Sequence, residues 1–477
     1  MGSSYLSDGL LELLNLSSSG PVSIWLVGMT LGDIAVAEPR EWFFSLALVA
    51  SRCGSERLCR LLKESILVVL GQGMAVAGAL VGVRLMTGLL SPSEYGELAL
   101  GMTVAALINL TVLGPLYNGV TRFYAPAQEK NDLGGYLHAV GRLVMSATGI
   151  IIILVLPMVS GLLIAGRTEW IALAVAAFIL STISGYNLIV NGIQNAARNR
   201  IIVALHQGIE TWGRFLCAAG LMLWLGATST IAMIGYAIAA ILTLGSQSVF
   251  LHKAVACKIE EGENKNHWMD QIWAYSWPFA TWGVFGWLQM ASDRWALGLV
   301  GTLEDVGRYA VLYQLGYYPM SVVTGMATQL FAPIFYQRAG DGTDSRRNTN
   351  VNTLSWRVTW STLGVTGSTC VLVFFSHRQI FHLFVADEYS SVSHLLPWML
   401  LAGGVFAASQ SISLGLMSRM KTHTLNTAKI MTALLGTTFN FAGAYWYGVA
   451  GLVMAAILFS AFDFVWLVLI SRNDVQL

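Results

Sequence analysis

From about residue 63 onward, apolar runs of roughly 20 residues alternate with short polar breaks, the length and composition that an α-helix needs to cross a bilayer. The runs fall at 65–86, 96–119, 143–165, 170–193, 204–225, 229–251, 272–292, 306–333, 358–376, 393–417, 425–446 and 449–470. The pattern predicts an all-α integral membrane protein of about twelve transmembrane helices. Several runs exceed the minimum length, which predicts tilt. Pro278 and Pro319, inside the seventh and eighth runs, predict bent or broken helices there. Residues 1–62 do not continue the pattern. The stretch 20–36 is short and interrupted by Asp33, 43–50 is shorter still, and Asp8 and Glu12 stand where a cleavable signal needs positive charge. We read this part as an extension of uncertain structure.

Basic residues test the count independently, because Lys and Arg collect in cytoplasmic loops. With the first helix starting inside, the cytoplasmic segments hold 20 of the 27 basic residues, among them Lys63, Arg122, Lys130, Arg198, Lys258, Arg346, Arg419, Lys421 and Lys429. The opposite loops hold only Arg167, Arg294, Arg308 and Arg378, with Arg84 near a helix end. This alternation predicts a multi-pass membrane protein with both termini cytoplasmic, and adding or losing one span would scramble it.

Composition narrows the classes. Of 477 residues, 55% are hydrophobic and only 11% are charged, against about 25% charged in soluble domains. The mean hydropathy of +0.62 agrees with a chain that lives mostly in lipid. A net charge of +1 leaves no basic field for nucleic acid. The five cysteines, Cys53, Cys59, Cys217, Cys257 and Cys370, have no CxxC spacing and no accompanying histidines, so neither a metal site nor a redox motif is expected. No cofactor is implied.

The chain is also written twice. RLMTGLLSPSEYGELAL begins at Arg84 and RWALGLVGTLEDVGRYAV at Arg294; Gly88 and Gly298 follow the arginines by four, and Glu94 and Glu304 by ten. Gly96 and Gly307 follow, offset by one inserted residue, and each second helix ends in a Phe/Ala/Pro cluster (Phe123, Ala125, Pro126; Phe331, Ala332, Pro333). The repeat predicts two pseudo-symmetric six-helix lobes, 63–252 and 271–477, joined by a cytoplasmic linker at 253–270. Repeats of this kind point to substrate handling between the halves by alternating access.

These same segments carry a family resemblance. RLMTGLLSPSEYGELAL resembles the first-loop signature of bacterial polysaccharide flippases, the oligosaccharide branch of the multidrug/oligosaccharidyl-lipid/polysaccharide exporter superfamily. DRWALGLVGTLEDVGRYAVLYQ is similar to their seventh-to-eighth helix region. The resemblance runs from about Lys63 to the C-terminus; the first 60 residues depart from it, and a misassigned start codon would explain that. It implies a two-lobed bundle that moves a polyprenyl-diphosphate-linked oligosaccharide across the plasma membrane for surface polysaccharide such as O-antigen or exopolysaccharide. The partners it implies are that lipid-linked oligosaccharide, membrane lipids and a polysaccharide polymerase or other assembly proteins. In related flippases, arginines between the lobes are thought to hold the diphosphate, and Arg84 and Arg294 are the positions matching the motif. Interfacial snorkelling is the alternative for both, and for Arg122.

Charge at the bilayer centre costs roughly 2.5–3.5 kcal/mol on insertion scales, so each polar residue there needs a reason. His206, Glu210 and Arg214 share one face of the fifth helix at i, i+4 and i+8. They read either as an intrahelical Glu210–Arg214 pair or as a cavity face whose guanidinium forks onto a diphosphate. Ser184, Asn187, Asn191 and Gln194 form a stripe on the fourth helix, suited to sugar hydroxyls or to interhelical hydrogen bonds. Six of the 16 tryptophans fall between Trp268 and Trp295. Trp268, Trp273 and Trp295 read as an interfacial belt, whereas Trp277, Trp282 and Trp287 lie mid-span, facing lipid or stacking on sugar rings. Asp293 serves as counter-ion to Arg294 or as a coupling site; Glu210 and Asp463, the latter an isolated acid in the twelfth span, are the other coupling candidates.

Two rival functions were weighed. A cation-coupled multidrug exporter of the same superfamily needs acidic cavity residues, which are few. A membrane-embedded polymerase, ligase or glycosyltransferase needs catalytic groups, and the chain has no long extramembrane loop, no DxD pair and no GxxxxGK[ST] phosphate loop. No enzymatic activity is expected, and a receptor or scaffold leaves the duplication unexplained.

Overall fold

In the computed structural model, backbone is described for residues 56–255, 265–339, 344–419 and 422–473. Contacts divide the chain into Met1–Gly71 and Gln72–Leu477. Of the first unit only helical backbone from Glu56 is described, so the reading of 1–62 falls almost wholly outside the described residues, as does half of the linker, 256–264.

Every apolar run forms a helix. In order these are α1 (Glu56–Leu89), α2 (Pro92–Glu129), α3 (Leu133–Ile164), α4 (Glu169–Ala196), α5 (Arg200–Leu225), α6 (Ser229–Val255), α7 (Lys265–Val300), α8 (Leu303–Ala339), α9 (Ser345–Phe384), α10 (Leu396–Ser418), and one continuous stretch, Thr422–Asn473. That last stretch bends at Gly448, where φ is 55° and ψ −130°, and comprises α11 before the bend and α12 after it. A positive φ there suits only a residue without Cβ. Among the described residues, seven helical stretches are long and apolar enough by themselves to count as membrane spans, the last of them, Thr427–Arg472, covering α11 and α12 together.

The repeat reappears as local chemistry. Ser91 accepts from the Glu94 amide at 3.3 Å to start α2, and Thr302 accepts from the Asp305 amide at 3.2 Å to start α8. Both are N-caps three residues ahead of an acidic residue. The irregularities lie elsewhere than the prolines. The backbone stays helical through Pro278 and Pro319, whereas α2 contains a π-turn at Asn109–Leu113. Gly283 of α7 packs against that turn so closely that a Cβ would collide with the Leu110 carbonyl.

The two ends of the bundle differ. At the end bearing Arg84, one buried core takes Val83 and Leu100 from the first six helices together with Leu297, Val306, Tyr309, Phe381, Tyr389 and Met399 from the last six. At the opposite end, that of Trp268, the first six helices have their own core of Leu116, Val120, Tyr136 and Ile193, joined only by Trp268 and Ile272 of α7. Smaller cores around Phe335 and Leu416 belong to α8–α12. The two groups of six are therefore fused at the Arg84 end and separate at the other, with α7 leaning from one group to the other.

Candidate functional site

The fused end is built on the repeated glycines. Gly96 of α2 and Gly307 of α8 face each other: a Cβ on the first would meet the Leu303 carbonyl, and one on the second the Pro92 carbonyl. Around this crossing, the end of α1 is bolted to the segment after α9. The Arg84 guanidinium donates to the Val385 carbonyl, the Ala386 amide donates to Thr87 Oγ1 at 3.2 Å, and the Tyr389 hydroxyl donates to the Leu90 carbonyl at 2.8 Å. Tyr95 stands edge-on to Tyr389, with ring centroids 5.9 Å apart. Arg84 is thus part of a latch between the two groups.

Near this latch each group carries an arginine that stacks on a ring. Arg294 of α7 lies over the Tyr313 ring at 4.6 Å, donates to the Met290 carbonyl at 3.0 Å, and stands 3.8 Å from Asp293. Asp293 is committed: it accepts from the Tyr309 hydroxyl at 2.8 Å and from the Arg294 amide at 2.7 Å. Arg214 of α5 lies over Phe215 at 4.6 Å, and its Nε has no hydrogen-bond partner. Among the described residues Arg214 and Glu210 form no ion pair; Glu210 feels Arg214 electrostatically and is approached by Asn187. Tyr95 lies within electrostatic reach of both Arg214 and Arg294. Two guanidiniums, one from each group and one with an unpartnered N–H, act electrostatically on one phenol.

The other sequence candidates are placed differently. His206 is buried with Nδ1 on the Ile202 carbonyl (2.7 Å) and Nε2 on Ser246 (3.0 Å), which occupies both ring nitrogens between α5 and α6. The α4 stripe also turns to α6: Asn187 donates to the Ala240 carbonyl at 2.9 Å, Gln194 to the Gln247 carbonyl at 3.2 Å, and Asn191 accepts from Gln247 at 3.1 Å. Trp277 and Trp282 are exposed at 53% and 43%, on the stretch of α7 whose Ile272, Ser276 and Gly283 face the first group.

Three readings are corrected. Asp463 is not isolated: it is fully buried, bound by Lys429 Nζ at 3.1 and 3.2 Å and by the Ser409 hydroxyl at 2.5 Å. Lys429 is accordingly no loop residue, since α11 starts two turns earlier and carries it into the bundle. Trp268 is no belt residue either. It is 1% exposed, donates to Asp132 at 2.7 Å, and is stacked edge-on by Tyr136 with Lys130 above its face at 5.2 Å. Sequence position alone put these residues at the interface; burial against a neighbouring helix decided otherwise. Tyr95, Tyr389 and Lys429 went unnoticed as site residues, and only the opposite charges of Lys429 and Asp463 in adjacent apolar runs offered a signal.

Residues 61–338, more than half of the chain, match the family described as polysaccharide biosynthesis protein. The chain belongs to that family. No curated protein sequence matches it closely enough to add a relative, but solved structures share its fold. A lipid II flippase, MurJ, in an inward closed conformation aligns with a TM-score of 0.67 at 15% identity, over 86% of this chain and 87% of its own. An inward-facing multidrug resistance MATE transporter of the MOP superfamily aligns at 0.62 and 14% identity, over 85% and 94%. A MOP superfamily transporter from Pyrococcus furiosus, described as having a binding pocket of reversed polarity, aligns at 0.56 and 14%, over 88% and 96%. The chain is thus a multi-pass membrane protein of the polysaccharide biosynthesis family that shares the fold of solved flippases and transporters.

Proposed function

We propose that the protein is a flippase that carries a polyprenyl-diphosphate-linked oligosaccharide across the plasma membrane by alternating access, for surface polysaccharide assembly. The observation that carries this reading is that Arg214 and Arg294, one from each six-helix group, both lie within electrostatic reach of Tyr95. Guanidinium forks suit phosphate oxygens, and a site shared by both groups is one whose geometry changes when the groups rock. The family supports a polysaccharide substrate. The loop charges assign the Trp268 end to the cytoplasm, so the separated end receives cargo from inside while the latch shuts the outside, with both termini cytoplasmic. Arg84 serves that latch. Asn187, Asn191, Gln194 and His206 hold α4, α5 and α6 together, and Trp277 and Trp282 line the open side of α7 toward the cargo or its lipid. Asp293, Glu210 and Asp463 are the intramembrane acids on which an ion gradient acts; Tyr309 and Lys429 already hold two of them, which leaves little to bind the cationic drugs of a multidrug exporter.

The test is complementation of a strain lacking the gene. Arg214→Glu and Arg294→Glu are each expected to abolish surface polysaccharide while inserting at normal level, and lipid-linked units are expected to accumulate in the inner leaflet. Full complementation by both variants refutes the diphosphate role. Accumulation of an unfinished glycan points to an enzyme.

A further inference from the structure

Tyr95 has a position that the two arginines do not explain. Its ring packs against the core shared by both groups and also against the core of the first group around Phe215 and Tyr236. Each of those cores holds the aromatic partner of one arginine: Tyr313 under Arg294 and Phe215 under Arg214. The phenol is therefore placed at the seam by packing on both sides, and its contact with Tyr389 fixes the plane of the ring. Its hydroxyl makes no hydrogen bond among the described residues, unlike the neighbouring hydroxyls of Tyr309 and Tyr389. A half-buried O–H donor with no acceptor, within electrostatic reach of two cations, has the chemistry of an anion ligand that awaits its oxygen. A diphosphate spreads its unesterified oxygens over two phosphorus atoms, and the phenol adds a donor for them beyond the two guanidinium forks.

We propose that Tyr95 is a third cargo-binding residue, its hydroxyl donating to the diphosphate held between Arg214 and Arg294, and that it makes the site prefer a diphosphate to a monophosphate. The proposal rests on the flippase reading above. Tyr95→Phe keeps the ring and its contact with Tyr389 and removes only the donor.

The experiment titrates the purified full-length protein, in nanodiscs, with farnesyl diphosphate and with farnesyl monophosphate by calorimetry, for the wild type, Tyr95→Phe and Arg294→Ala. The wild type is expected to prefer the diphosphate. In Tyr95→Phe the diphosphate affinity is expected to fall about tenfold, as for one lost hydrogen bond to a charged acceptor, with the monophosphate affinity unchanged within about twofold. Arg294→Ala is expected to weaken both ligands. An undiminished diphosphate affinity in Tyr95→Phe, or an equal loss for both ligands, overturns the Tyr95 role and leaves the arginine site standing. A wild type that binds neither ligand, or an Arg294→Ala that binds both like the wild type, overturns the diphosphate site itself and the Tyr95 role with it.

Discussion

Adding one methyl group at the glycine crossing is expected to hold the latched end open. Gly96 and Gly307 lie where α2 and α8 touch, and a Cβ on either would fall inside 3.0 Å of a carbonyl oxygen of the facing helix, Leu303 for Gly96 and Pro92 for Gly307. Neither obstacle is a flexible side-chain tip, so relief requires the helices to part by about 1 Å. Overpacking of this kind costs roughly 1–3 kcal/mol. On the alternating-access reading only the latched arrangement bears that cost, because closing the opposite end parts these helices. Gly96→Ala should therefore shift the equilibrium between the two arrangements about five- to 150-fold toward the unlatched one. The shift can be read by pulsed electron paramagnetic resonance with spin labels at exposed Thr168 and Glu388, in a variant lacking the five native cysteines. Gly96→Ala and Gly307→Ala should each lengthen that distance, and the double variant should add little, since both methyls act on one crossing. A distribution identical to that of the parent, in a protein that inserts normally, would refute the reasoning.

The other predictions concern the clusters that the sequence did not reveal. Asp463→Asn leaves the Lys429 ammonium without its carboxylate and should lower stability by about 3 kcal/mol, whereas Lys429→Met combined with Asp463→Leu should restore most of it, both measured by thermal unfolding in detergent. If the double variant is as unstable as the single, the 3.1 Å pair is not the source of the loss. Trp268→Phe removes the 2.7 Å bond to Asp132 and should cost about 1 kcal/mol locally. Hydrogen exchange should then quicken at the start of α7 and not at its end, and uniform protection would contradict the clasp. Tyr389→Phe loses its bond to the Leu90 carbonyl and should move the same label distance as Gly96→Ala, by a smaller factor, about fivefold.

Much of the architecture was legible because the bilayer demands it. A chain that must satisfy every backbone amide internally can cross lipid only as a helix or a closed barrel, so run length gave twelve helices. The repeated glycines Gly96 and Gly307 were legible too, and they meet; the caps at Ser91 and Thr302 were not anticipated. The site was legible only as single residues. Arg214 and Arg294 stood out because charge is rare in apolar runs, but nothing along the chain shows that both act electrostatically on one phenol. His206, Asn187, Asn191 and Gln194 share helix faces with good candidates, and a helix face looks the same in sequence whether a neighbouring helix or a cavity covers it.

The sequence by itself determined which segments form long apolar helices, because hydrophobic length acts locally along the chain; loop charge and repetition supplied expectations for orientation and for related halves. Only the tertiary structure decided which polar groups are spent on each other. Lys429 and Asp463 are 34 residues apart, Trp268 and Asp132 are 136 apart, and Arg84 reaches a carbonyl 301 residues away. Partners at such separations are chosen by how helices pack, and with them the few donors left free for a ligand.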